Sequence, residues 1–178
     1  MYEALARLLP RDATRFRGPR GPVVFLAAFN VVATARSLIH ILAPDSGAQS
    51  IASMNTRVAG GRNIVGLLGQ WGGGQLLESL LIWGVLGKYR GLVPLMLATI
   101  TLEQGLRIGI GQLKPLQTEH APPGALSWGM LPLAAAALAW SVSPRNGRRL
   151  AYPPESGAGR ELRFSAAAAW LTTPRLPL

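Results

Sequence analysis

Four stretches of this chain are long and apolar enough to cross a lipid bilayer, and they constrain its fold more than any other feature. They cover residues 22–42 (PVVFLAAFNVVATARSLIHIL), 63–86 (NIVGLLGQWGGGQLLESLLIWGVL), 92–113 (LVPLMLATITLEQGLRIGIGQL) and 125–142 (ALSWGMLPLAAAALAWSV). A spanning helix needs about 20 such residues. Inside lipid each backbone N–H and C=O must find its partner within the segment, so a spanning stretch of this kind has to be helical. Prolines stand at the edges, at Pro22, Pro44, Pro115, Pro122, Pro123 and Pro144. A proline is tolerated in a helix's first turn and stops a helix that it follows. The pattern predicts an all-α, integral membrane four-helix bundle over residues 22–143. A basic arm precedes it (1–21), and a basic, Pro/Gly-rich tail expected to be disordered follows (144–178). In that tail FSAAAAWL is too short to span.

The placement of charge supports this layout. Only 15% of the 178 residues are charged, against 49% hydrophobic, whereas a soluble domain carries roughly 25% charged residues. The net charge is nevertheless +10, so the cations are concentrated outside the apolar windows. The arm holds Arg7, Arg11, Arg15, Arg17 and Arg20, and the 87–91 link holds Lys88 and Arg90. The tail holds Arg145, Arg148, Arg149, Arg160, Arg163 and Arg175. The two opposite loops hold only Arg57, Arg62 and Lys114. With four spans the first three groups share one face of the membrane, which the positive-inside rule makes cytoplasmic. The expectation is a multi-pass inner-membrane protein with both termini in the cytoplasm. The basic balance is then assigned to the lipid bilayer, and no nucleic-acid partner is expected. The chain has no cysteine, which excludes disulfides, thiolate metal sites and thiol redox chemistry.

An ionisable side chain within a span costs several kcal/mol, so it marks where a function would sit. Arg36 and His40 fall in the first window, Glu78 in the second, and Glu103 and Arg107 in the third. Arg36 and Arg107 lie roughly 9 Å from the outer ends of their helices at 1.5 Å per residue. They can snorkel to the headgroups or turn inward. His40, within a turn of its helix end, is expected at the interface. Glu78 and Glu103 lie roughly 12–14 Å from the nearer end, beyond the reach of their side chains to water. Each must be paired, protonated or beside a wet cavity. Glu103 and Arg107 share a helix face through their i,i+4 spacing, and Gln75 and Asn30 add amides at neighbouring depths. Two readings stay open: an ion-pair and amide network that holds helices together, or an outward polar pocket for a proton or a small polar ligand.

Gly69 with Gly73, and Gly105 with Gly109, form GxxxG pairs, a spacing that lets helix backbones approach closely. Helix packing is the expectation for these four. The run Gly72-Gly73-Gly74 admits the alternative of a helix broken at mid-membrane, as in transporters. Two histidines, His40 and His120, are too few for a histidine metal site. No serine has a histidine in a plausible triad, and no Lys-Ser/Thr follows the glycine run to engage phosphates. No metal, cofactor or catalytic residue is therefore expected, and Asp45 and Glu119 are expected to be solvated loop residues.

The runs RSLIHILAPDSGAQSIA, GQWGGGQ, YRGLVPLM, E–x3–R–x6–KP and PPG, spread over residues 30–133, resemble small four-helix bacterial membrane proteins of unassigned function. In size and helix layout these are similar to the DoxX-like proteins. Some DoxX relatives are partner subunits of membrane redox systems, so the resemblance implies a helper role. The resulting expectation is an accessory or structural subunit of a membrane complex, not an enzyme. The alternative is a small transporter or proton-coupled permease using Glu78, Glu103, Arg36 and Arg107. Either requires assembly, with a membrane protein partner or as a homo-oligomer.

Overall fold

Each apolar window folds as a helix. A computed structural model describes residues 8–118, 120 and 123–143, and among these residues the secondary structure is entirely helical. We number the helices α1 (Gly21–Leu42), α2 (Gly61–Gly87), α3 (Val93–Leu113) and α4 (Ser127–Ser141). Short 3-10 turns, Arg90–Leu92 and Pro123–Leu126, lead into α3 and α4. They take up the first residues of the third and fourth windows, so those helices start later than the apolar stretch alone predicts. At the head of α2 the left-handed Gly60 (φ 83°) turns the chain into the helix, a conformation that glycine adopts without a Cβ penalty. The tail, from residue 144, lies outside the described residues, as do Glu119 and residues 1–7 of the arm.

Helix α2 runs unbroken through Gly72, Gly73 and Gly74. Backbone hydrogen bonding carries the helix across three residues of low propensity, because α1 packs along one side of it. The bundle consists of two closely packed pairs, α1 with α2 and α3 with α4. The pairs meet less extensively, and the seam between α2 and α3 is thin. An apolar core closes the half of the bundle nearest the 88–92 link. It is built from Leu26 of α1, Ile82, Val85 and Leu86 of α2, Val93, Leu97 and Ile100 of α3, and Ala134 and Ala137 of α4. Alanine is small enough for α4 to lie close to its neighbours.

Below this core the arm returns to the bundle. Gly91 donates its N–H to the Ala13 carbonyl (2.7 Å), and a Cβ at Gly91 would stand 2.7 Å from that same oxygen. Phe16 packs against the core from the arm. The arm is therefore fastened at two points, which leaves Arg15, Arg17 and Arg20 beside Lys88 and Arg90 at one end of the molecule.

Large apolar side chains also cover the outside. Val24, Val31 and Val32 on α1, Leu77, Leu80 and Leu81 on α2, Leu102, Leu106 and Ile110 on α3, and Leu133 on α4 are all exposed. Of the four expected spans, two helical stretches among the described residues are long and apolar enough to cross a bilayer, Gly21–Leu42 and Gly124–Ser141. Helix α2, with its glycines, Gln75 and Glu78, and α3, with Glu103 and Arg107, are less apolar.

Candidate functional site

Above the apolar core, on the side of the 43–60 loop, the helices bring their ionisable residues together. Arg107 is one turn beyond Glu103 on α3, and its Nε donates to Glu103 Oε1 at 3.0 Å, with Nη2 donating to the same oxygen. Gln75 of α2 donates its Nε2 to that oxygen as well (3.3 Å). Gln75 in turn accepts from Arg36 Nη2 of α1 at 2.8 Å. One continuous chain of bonds, Arg36–Gln75–Glu103–Arg107, thus joins three helices, and Gln75 serves as donor on one side and acceptor on the other. An amide can do both, through its NH2 and its carbonyl oxygen.

Trp71, one turn before Gln75 on α2, forms the roof of this cluster. The guanidinium carbons of Arg107 and Arg36 stand 4.8 Å and 5.3 Å from its ring centroid, within cation–π range. The His40 ring leans on Trp71 from α1, centroid to centroid 5.1 Å. Both arginines therefore turn inward instead of snorkelling, because a ring face, an amide and a carboxylate stand within their reach. Sequence reasoning passes over Trp71, although an aromatic one turn from a buried amide is the signal that could have found it.

His40 also departs from expectation. It is buried, and its Nδ1 meets the Ser46 carbonyl at 2.6 Å, so it ties the outer loop to α1. Asp45, expected to be solvated, organises the same loop. Its Oδ1 accepts from Gly47 N–H, and its Oδ2 accepts from Gln49 and Ser50 N–H. These bonds, that from Ser50 first, hold its carboxyl down to about 2. The 43–54 segment is thus a set of turns clamped at Asp45 and His40.

Asn30 lies deeper, fully buried, and donates Nδ2 to the Ser79 carbonyl at 3.0 Å. It crosses α1 to α2 apart from the ionic chain, and its Oδ1 has no hydrogen-bond partner. Glu78 lies beside the chain and makes no hydrogen bond or ion pair among the described residues. It lines a small cleft that is also lined by Arg36, Gln75, Ser79 and Glu103.

Of the four glycines expected to pack helices, Gly69 alone meets a neighbour. A Cβ there would be 3.3 Å from Ser46 Oγ, whereas at Gly73, Gly105 and Gly109 it would meet nothing within 4 Å. The close α1–α2 approach runs instead through Gly72, where a Cβ would stand 2.5 Å from His40 Cβ. The GxxxG spacing selects one helix face. Among the described residues α1 lies against the adjacent face of α2, through Gly72, and Gly73, Gly105 and Gly109 meet no neighbour.

The arrangement can bind helices together by hydrogen bonds and can hold a proton or a water. Among the described residues no cluster of His, Asp and Glu has the makings of a metal site. No protein-family model, no curated protein and no solved structure matches the chain.

Proposed function

We propose that the chain crosses the inner membrane four times, with both ends on the cytoplasmic side, and acts as an accessory or structural subunit of a membrane complex. The distribution of polarity supports the membrane reading. Large apolar side chains face outward on every helix, and an extended exposed apolar surface marks a membrane or partner interface. Arg36, Glu103 and Arg107 are joined through Gln75. In the two apolar stretches, Gly21–Leu42 and Gly124–Ser141, only 22% of residues are buried, unlike the core helix of a soluble protein.

The observation that carries the subunit reading is the thin α2–α3 seam, where Glu78 is half-buried and Glu103 and Arg107 retain exposure of 26% and 20%. Acyl chains offer these groups no hydrogen bonds. A helix of a second membrane protein laid along the seam covers them and supplies such bonds. The resemblance in layout to DoxX-like proteins, some of which are partner subunits, points the same way. The second reading, a small oligomeric permease, draws on the unbonded Glu78 beside the cleft.

The chain contains no cysteine, so a single reporter thiol is unambiguous. Gly74 is exposed next to Gln75, and a Cβ added there would meet nothing within 4 Å. Gly74→Cys carrying a photocrosslinker, in native membranes, should give one defined hetero-adduct with another membrane protein. An adduct with a second copy alone favours the permease reading, and adducts with lipid alone overturn both.

A further inference from the structure

The cleft between Arg36, Glu78 and Glu103 has a volume open to water of about 10 Å3, about the room one water molecule needs. We propose that it is a site for a single water, which bonds Arg36, Glu78 and Glu103 at once and makes the two carboxyl groups one proton-exchanging unit.

The hydrogen-bond valences around the cleft are those a water would complete. Arg36 Nε is buried and has no partner, so one donor is left over. Glu78 makes no bond among the described residues, so its carboxyl oxygens are left over as acceptors. The three bonds to Glu103 all end on Oε1, which leaves Oε2 as a further acceptor. A buried water typically makes about three hydrogen bonds, and it has two protons to donate and lone pairs to accept with. Here it accepts from Arg36 Nε and from whichever of Glu78 and Glu103 carries the proton, and it donates to the other. Phe29, Ala33 and Ile82 form the cleft's apolar walls, and Gln75 and Ser79 complete the lining.

With one proton on the pair, transfer through the water balances simply. The carboxyl O–H of Glu78 breaks as its proton passes to the water, and the water releases one of its own to Glu103. The products are a Glu78 carboxylate, a Glu103 carboxylic acid and the same water, and the reverse step restores the start. The charged groups facing this unit are Arg36 from α1 and Arg107 from α3. His40 lies across Trp71 with its Nδ1 engaged by Ser46, and α4 carries no ionisable residue. The inference rests on the cleft alone and is independent of the partner reading.

Infrared spectroscopy of the full chain in lipid nanodiscs tests it. Wild type should show one narrow internal-water O–H band that shifts on exchange into H2(18)O. Arg36→Lys keeps the charge but removes Nε, and it should lose that band. In the carboxyl region, Glu103→Gln should displace the titration midpoint of Glu78 by at least about one pH unit, the mark of a coupled pair. Absence of the water band, its survival in Arg36→Lys, or an unmoved Glu78 midpoint overturns the proposal. If Glu103→Gln does not fold, Glu78→Asp decides the same point. The shorter acid withdraws from the water, so the Glu103 midpoint must move by a similar amount, and an unmoved one overturns the inference.

Discussion

Glu103 accepts from two helices on a single oxygen, so the two sides of its bonding respond differently to substitution. Glu103→Gln keeps the shape but removes the anionic partner to which Arg107 is bonded. Breaking a buried pair costs about 3–5 kcal/mol, whereas replacing both partners by apolar groups is often near neutral. Thermal unfolding in detergent should therefore show a larger loss for Glu103→Gln than for Glu103→Leu combined with Arg107→Leu. Equal losses would mean that Gln75 and Arg36, not Arg107, set the contribution of Glu103. At the outer loop Asp45 supplies a pH-dependent test. Its carboxyl lies at about 2 in the folded chain, against an ordinary value of 3.8. A depressed carboxyl stabilises the fold above the ordinary value, and the stabilisation fades as pH falls through the folded one. The difference in unfolding temperature between wild type and Asp45→Ala should be constant above 3.8 and shrink as pH approaches about 2. A difference that does not change with pH would show that the loop turns hold without the carboxylate.

In helix α2, adjacent glycines have opposite consequences. Gly72 faces α1, where even a methyl group would meet His40 Cβ at 2.5 Å and the Ser37 carbonyl at 3.2 Å. Gly73 faces outward, into open space. Gly72→Ala should cost about 1–3 kcal/mol of stability, the usual penalty for overpacking. Gly73→Leu should leave thermal unfolding of the isolated protein within about 0.5 kcal/mol of wild type, the usual range for surface sites. The reverse order would mean that α2 is rotated about its axis relative to α1. The same geometry explains why the helix survives three consecutive glycines. Its packing partner lies along the Gly69–Gly72 side, and tertiary contact outweighs weak local propensity.

For the whole molecule, the prediction concerns sidedness. The arm is fastened to the 88–92 link through Gly91 and to the core through Phe16, which brings Arg15, Arg17 and Arg20 to the same end as Lys88 and Arg90. Cations gathered at one end favour retention on the cytoplasmic face. Reporter fusions after Arg90 and after Val142 should be cytoplasmic, and one near Ala52 should be external. An external signal at either of the first two positions would refute the four-span topology.

By itself the sequence determined where the helices lie and which ionisable residues fall within their apolar stretches. Both depend on local quantities: the length of an apolar run, a proline at its edge, and the reach of a glutamate side chain at 1.5 Å per residue. The i,i+4 spacing of Glu103 and Arg107 was legible for the same reason, because one helix sets both positions. Azimuth was not legible, since a hydrophobic pattern that is apolar nearly all round does not say which face meets which neighbour. Only the tertiary structure turned Arg36 inward onto Gln75 and Trp71, buried His40 beneath the Asp45 loop, and chose Gly72 over Gly73 as the point of closest approach. Each of these depends on the rotation of one helix against another, a relation between segments distant in sequence that no single segment encodes.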